Sequence, residues 1–253
     1  MSTIQLLKTT FLSLVIVLSS MAKAQDAKEI VKQADDKMQG EESSISVMSM
    51  TIKRPTYERN LTFKNWTKGT QFAMTLVTAP AQEKGQTFLK REREMWNWNP
   101  RISRMIKLPP SMMSQGWMGS DYTNDDALKK SSIVEDYNHT LLGSEEIDGH
   151  DCYHIQLIPN EEAAVVWGKV IMWITKDEYI QMKIEYYDED EFLVKTELAH
   201  NITTLGGRVL PSQFEIIPAD KPNQRTLVNI ENIEFNVPIE DTFFSQQSMK
   251  RIR

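Results

Sequence analysis

From about residue 45 onward, apolar and polar side chains alternate in short runs broken by turn residues. Ile45, Val47 and Ser49 oppose Met48, Met50 and Ile52. Leu61, Phe63 and Asn65 oppose Thr62, Lys64 and Trp66, and Phe72, Met74 and Leu76 oppose Ala73, Thr75 and Val77. Successive side chains of a strand point to opposite faces, so a period of two predicts strands. The same pattern predicts further strands near 86–90, 94–98, 102–106, 139–146, 152–158, 168–175, 179–187, 192–203, 208–217 and 224–237. Lys68-Gly69, Ile147-Asp148-Gly149, Lys176-Asp177, Asp188-Glu189-Asp190 and Gly206-Gly207 are turn material between them. Many short strands joined by tight turns imply a mainly β fold with a few helices, an antiparallel sandwich or barrel.

Two segments depart from this rhythm. Between Asp26 and Gly40 the residues Ala27, Ile30, Val31, Ala34 and Met38 share one face of a 3.6-residue period, which predicts an amphipathic helix. Asp26 can cap its start and Gly40 can end it in a left-handed conformation. From Leu108 to Lys130 a double proline stops any strand, and Met112, Met113, Trp117 and Met118 follow in a loop-like context. Loops of this length in compact domains are commonly lids or binding segments. Asp121, Asp125 and Asp126 follow it, and helix capping around Thr123 and Asn124 is their expected role. Some strands, such as Ser46–Met50 and Gly168–Ile174, are apolar on both faces. That suits a strongly curved sheet with a helix or ligand on its concave side, and equally an ordinary sandwich core.

The first residues change the picture of where the chain works. Lys8, the apolar run Phe11–Leu18 and the Ala22-Lys23-Ala24 site have the order of a secretory signal peptide. The run is far short of the roughly 20 residues a spanning helix needs. Cleavage is expected after Ala24, leaving residues 25–253 as one domain in the periplasm. No cysteine lies near that site, so lipid modification is not expected. Cys152 is the one cysteine, so no internal disulfide can form and an apolar core must hold the fold. A formal net charge of −6 argues against nucleic-acid binding, which needs a basic surface.

Catalytic constellations are missing. There is no Gly-x-Ser-x-Gly elbow, no phosphate-cradling glycine loop and no His-Glu-x-x-His. His150 and His154 would lie roughly 13 Å apart along a strand at about 3.3 Å per residue, too far for one metal ion. The run Asp188–Glu191 sits at a turn without the spacing of a calcium loop and reads as a solvated turn. No catalytic residue, metal or cofactor is therefore expected. Fourteen methionines are many for this length, and a flexible thioether suits an adaptable apolar surface as well as a core. Trp96 and Trp98, alternating in Met95–Pro100, could line a hydrophobic pocket or fill a β core.

The run Gly116-Trp117-Met118-Gly119-Ser120-Asp121-Tyr122-Thr123-Asn124-Asp125-Asp126 resembles the W-M-G-S-D-[FY]-T-N-x-D stretch of the outer-membrane lipoprotein-sorting protein family, relatives of the periplasmic lipoprotein carrier with the LolA-like fold. Shorter pieces match in the same order: Met95–Pro100, Glu135-Asp136-Tyr137, Val166–Lys169, Tyr186–Glu189 and Phe243-Phe244-Ser245. The resemblance implies an open, incomplete antiparallel β-barrel whose apolar concave face is covered by helices. It further implies a monomeric, non-enzymatic carrier that shields acyl chains of lipoproteins or other lipids on the way to the outer membrane. An inner-membrane transporter and an outer-membrane acceptor would be its partners. On that reading Met48, Met50, Phe63, Phe72, Met74, Trp96 and Trp98 line the cavity, while Met112, Met113, Trp117 and Met118 form the lid. A different class fits the same resemblance: a periplasmic sensor or adaptor that docks a membrane protein such as an exporter of the resistance-nodulation-division type. Strand parity decides the lining residues, since a one-residue slip turns each strand's set to the other face.

Overall fold

The computed structural model describes residues 27–40, 42–92, 94–128 and 132–253. The expected signal peptide over 1–24 and the capping Asp26 lie outside the described residues. The predicted helix forms as α1 (residues 27–39), burying Ala27, Ile30, Val31 and Ala34. Gly40 ends it at φ +84°, and its N–H donates to the Asp36 carbonyl. A Cβ there would approach the Ser43 carbonyl oxygen to 2.8 Å, so glycine is required on two grounds.

Strand follows strand where the alternation placed them. They are β1 (Ser43–Arg54), β2 (Tyr57–Lys68), β3 (Phe72–Ala79), β4 (Thr87–Arg91), β5 (Glu94–Asn99), β6 (Arg104–Lys107) and β7 (Tyr137–Ile147). Then come β8 (His150–Pro159), β9 (Lys169–Thr175), β10 (Gln181–Tyr187), β11 (Leu193–Leu205), β12 (Arg208–Pro218) and β13 (Arg225–Phe235). The strand expected over 102–106 begins later than predicted, because residues 100–103 form the hairpin turn, with Ser103 at φ 48°.

All thirteen strands join one antiparallel sheet in the order β6-β5-β4-β3-β2-β1-β13-β12-β11-β10-β9-β8-β7. Neighbours are chain neighbours throughout, except where β1 meets β13 at the centre. β6 and β7 stand at opposite edges and do not pair, so the sheet is an open half-barrel and not a closed barrel or a sandwich. One consequence decides the site: the segment between β6 and β7 must travel from one edge of the sheet to the other.

Of the strands apolar on both faces, β9 is buried from both sides, while Val47 and Ser49 of β1 are only half-buried. In β9, Val170, Met172 and Ile174 pack beneath α1 together with Ile155, Leu157 and Ile184. Ile171 and Trp173 pack on the other face with Cys152, Ile180 and Met182. Cys152 is fully buried, and burial pushes its thiol up to about 11, which makes it a poor nucleophile at neutral pH. At the entry to β9, a Cβ on Gly168 would sit 2.5 Å from the Asp188 carbonyl oxygen and 2.7 Å from the Glu189 Cα. Backbone cannot swing aside as a side chain can. Gly168→Ala is therefore expected to cost about 1–3 kcal/mol of stability, read from the urea midpoint.

Two clusters occupy opposite faces of the β1–β5 half. Phe63, Val77, Phe88 and Met95 belong to a cluster on the concave side that also holds Met50, Val228 and Ile230. Their strand neighbours Leu89 and Trp96 pack instead, with Met74, against Phe244 and Met249 of the C-terminal segment. That segment carries a 3-10 turn (Asp241–Phe243) and the short helix Gln246–Met249, capped by the Ser245 hydroxyl, which accepts from the Ser248 N–H. Stacking of Phe72 on Phe244 at 5.4 Å anchors it.

Candidate functional site

Residues 108–128 leave the β6 edge and fold into the concave face. Two 3-10 turns (Pro110–Met112 and Trp117–Gly119) lead into the helix α2 (Asn124–Leu128). α2 starts with a reciprocal cap: the Thr123 hydroxyl accepts from the Asp126 N–H at 3.1 Å, and the Asp126 carboxylate accepts from the Thr123 N–H at 2.7 Å. The capping role expected for this stretch is thus carried by Thr123 and Asp126. The Trp117 N–H donates to the Tyr122 carbonyl, and the Asn124 side-chain amide donates to the Met112 carbonyl, so the segment is an internally bonded unit.

Trp117 is its anchor. The side chain is 3 % exposed and meets Phe63 at 5.4 Å and Phe88 at 5.3 Å in edge-on contacts. Its indole N–H reaches no acceptor. Met113 is buried in the same cluster, while Met112 and Met118 are half-buried against it.

Polar contacts pin the segment at two places. At one, Arg54 donates to both carboxylate oxygens of Asp121, at 3.0 and 3.1 Å, and to the Gly119 carbonyl at 2.7 Å. Arg59 donates to the Met118 carbonyl at 2.6 Å and pairs with Glu83. Thr226 is fully buried and donates its hydroxyl to Asp121 at 2.7 Å. At the other, Lys195 on β11 pairs with Asp126, their side chains 3 % and 10 % exposed. Trp167 donates its indole N–H to the second Asp126 oxygen at 3.0 Å. The Lys195 ammonium lies 4.6 Å from the Tyr186 ring, 4.8 Å from Trp167 and 5.4 Å from Tyr122.

Sheet, α1 and crossing segment line a cavity of about 400 Å³ that is partly open to solvent. Met48, Met50, Phe63, Val228, Ile230 and Trp117 supply apolar wall. One side is polar: Tyr122, Tyr186, Asp125, Asp126 and Glu197 border it there. Burial, and then the nearby Glu197 and Asp126 carboxylates, hold the Tyr122 and Tyr186 hydroxyls well above the usual phenol range, so both are neutral donors. No group of three or more histidine, cysteine or acidic residues is arranged to hold a metal ion among the described residues.

The eleven residues singled out from the sequence divide by position. Met48, Met50, Phe63 and Trp117 border the cavity on its concave side. Phe72 and Met74 also border it, yet they pack in the cluster with Phe244 and Met249. Trp96 and Trp98 are absent from the cavity wall and belong to that same C-terminal cluster. Met112, Met113 and Met118 lie in the crossing segment and pack against the concave core. Sequence reading missed Arg54, Arg59, Thr226, Lys195 and Glu197. Their partners are far along the chain, and nothing in the local pattern marks them.

The fold is shared with solved structures. A LolA superfamily protein from Nitrosomonas europaea superposes with a TM-score of 0.76 at 24 % identity, covering 88 % of this chain and 98 % of its own. A DUF1329 family protein from Desulfovibrio piger gives 0.81 at 21 % identity, over 90 % of this chain and 99 % of its own. A domain described as outer membrane lipoprotein-sorting protein, from Vibrio parahaemolyticus, gives 0.79 at 21 % identity, over 90 % and 100 %. At these identities the likeness establishes the fold. No curated protein matches the sequence significantly. A family model described as "Uncharacterized protein" matches residues 69–251, from the turn after β2 through the C-terminal helix. The chain belongs to that family, and it shares its open half-barrel architecture with these three solved structures.

Proposed function

We propose that the chain is a periplasmic carrier that takes an acyl chain of a lipoprotein or another lipid into the cavity beneath residues 108–128 and releases it toward the outer membrane. The observation that carries this reading is the cavity of about 400 Å³ walled by methionine, phenylalanine and tryptophan on a half-barrel. Its volume lies in the range of small-molecule sites, about 300–1,000 Å³. Each buried methylene gains about 0.8 kcal/mol, so a chain of a dozen or more carbons supplies ample affinity without any covalent step. Loading and release then require the crossing segment to move, and its closed seat rests on a small number of polar contacts and one aromatic anchor. The leader-like residues 1–24 and the likeness to a lipoprotein-sorting domain support the periplasmic assignment. An inner-membrane transporter and an outer-membrane acceptor would complete the route.

Native mass spectrometry with lipid extraction, on protein recovered from a periplasmic extract, tests this. A co-purifying lipid or acylated peptide at one per chain is expected. Met48→Glu places a charge on the wall at a half-exposed position and is expected to strip that ligand while the far-UV spectrum stays native. A bare protein mass that persists after incubation with lipids and lipopeptides would overturn the reading.

A further inference from the structure

The carrier reading leaves one end of the sheet unexplained. Antiparallel pairing puts the turns after β1, β3 and β5 at the same end: Arg54 pairs with Tyr57, Thr62 with Ala79, Leu76 with Thr87, and Asn99 with Arg104. The C-terminal residues join them, because the Thr87 hydroxyl donates to the Met249 carbonyl at 3.1 Å and the Lys250 ammonium lies 5.3 Å from the Trp98 ring. Exposed cations gather at the β5–β6 corner of this end, while the exposed acids Glu189, Asp190 and Asp220 lie at its β10–β11 and β12–β13 turns, on the other side of β1 in the strand order. Arg101 and Arg104 flank the β5–β6 turn, and Lys250, Arg251 and Arg253 run beside it. Among the described residues the Arg104 guanidinium has no ion pair or hydrogen-bonded partner. Two of the acids at this end, Asp121 and Glu83, are already held by Arg54 and Arg59.

Exposed apolar side chains stand among these charges. Ile102, at the tip of the β5–β6 turn, is 63 % exposed, and Tyr57 at the start of β2 is 56 % exposed. Ile102 is flanked by Arg101 and Arg104, and Tyr57 stands apart from it at the start of β2. That pattern fits a headgroup layer better than a protein groove, because separate anchors can sink between lipids while the cations meet phosphates. The cationic corner is a local feature of a chain whose formal net charge is −6.

We propose that the β5–β6 corner of this end docks on an anionic phospholipid surface, with Arg101, Arg104 and the Lys250–Arg253 segment meeting the headgroups and Ile102 entering the interface. Arg54 and Arg59, which hold Asp121, Gly119 and Met118, lie at the same end. Docking would therefore bring the fastening of the crossing segment next to phosphates that compete for those guanidiniums.

Vesicle flotation tests the proposal, using periplasmic protein with vesicles of pure phosphatidylcholine and of phosphatidylcholine with three parts in ten phosphatidylglycerol. Flotation is expected with the anionic vesicles, and it should weaken steeply on raising salt from low to half-molar, since screening shortens the reach of exposed charges. The double variant Arg101→Glu/Arg104→Glu should reduce anionic-vesicle binding at least tenfold, and Ile102→Asp should reduce it in both salts. These positions are exposed, so native far-UV spectra are expected. Equal flotation with both vesicle types, no flotation, or undiminished binding by the double variant overturns the proposal. The lipid load of the double variant, read by native mass spectrometry, separates this from the carrier reading: docking can fail with the load intact, and Met48→Glu can lose the load with docking intact.

Discussion

Lys195→Met is expected to lower the free energy of unfolding by about 3–5 kcal/mol, the cost of stranding a buried charge by removing its partner. The Lys195 and Asp126 side chains are 3 % and 10 % exposed, so water cannot replace the lost ammonium. Methionine keeps most of the aliphatic stem between Tyr122, Trp167 and Tyr186, which limits the packing loss and isolates the charge effect. Asp126 also caps α2 and accepts the Trp167 N–H, so its distortion should loosen the crossing segment as well. The double variant Lys195→Met/Asp126→Asn removes the stranded charge and retains an acceptor for Trp167, and part of the loss should return. Urea unfolding of both single variants and the double variant gives the coupling directly. A loss below about 1 kcal/mol for Lys195→Met would mean that the pair behaves as a solvated surface bridge and that packing alone seats the segment.

Trp117→Ala should cost about 3–5 kcal/mol, the usual penalty for truncating a large buried aromatic residue. It removes the edge-on contacts to Phe63 and Phe88 and empties the centre of the concave cluster. Trp117→Phe should behave differently. The indole N–H is buried without an acceptor, and leaving such a donor unsatisfied costs about 1–3 kcal/mol. Phenylalanine removes that penalty while keeping a ring in the same place, so its net effect should lie within about 1 kcal/mol of zero, in either direction. Chemical denaturation separates the two substitutions. A large loss for both would mean that the second ring of the indole, not the unsatisfied donor, dominates the balance. If the cavity carries lipid as proposed, a segment released by Trp117→Ala should exchange it faster than one held by phenylalanine.

Much of the architecture was legible along the chain. Period-two alternation located the strands because each lies in a sheet whose two faces differ or are both buried. The 3.6-residue period placed α1 because one stripe of the helix must meet the sheet. Turn residues such as Asp148-Gly149 and Gly206-Gly207 take positive φ where the hairpins need it. The tryptophan and methionines of residues 112–118 stood out as a segment that did not belong to a strand, and the fold gives that segment its own course across the half-barrel.

Face assignment was not legible. Alternation says that Phe88 and Leu89 point opposite ways, but not which of them meets the concave core. Phe63 shares its face with Val77, while Met74 pairs with Trp66 and Leu89 on the face covered by the C-terminal segment, so residues grouped by type were divided by register. The fastening of the crossing segment was hidden for a related reason. Arg54 finds Asp121 67 residues away, and Lys195 finds Asp126 69 residues away. Local sequence determined that this chain makes strands, one amphipathic helix and an interrupting apolar segment, because those follow from backbone geometry and side-chain periodicity within a few residues. Tertiary structure alone decided which faces line the cavity and which charges fasten the segment across it. Those depend on β1 pairing with β13 while β6 and β7 remain apart, an arrangement set by contacts between residues far separated along the chain.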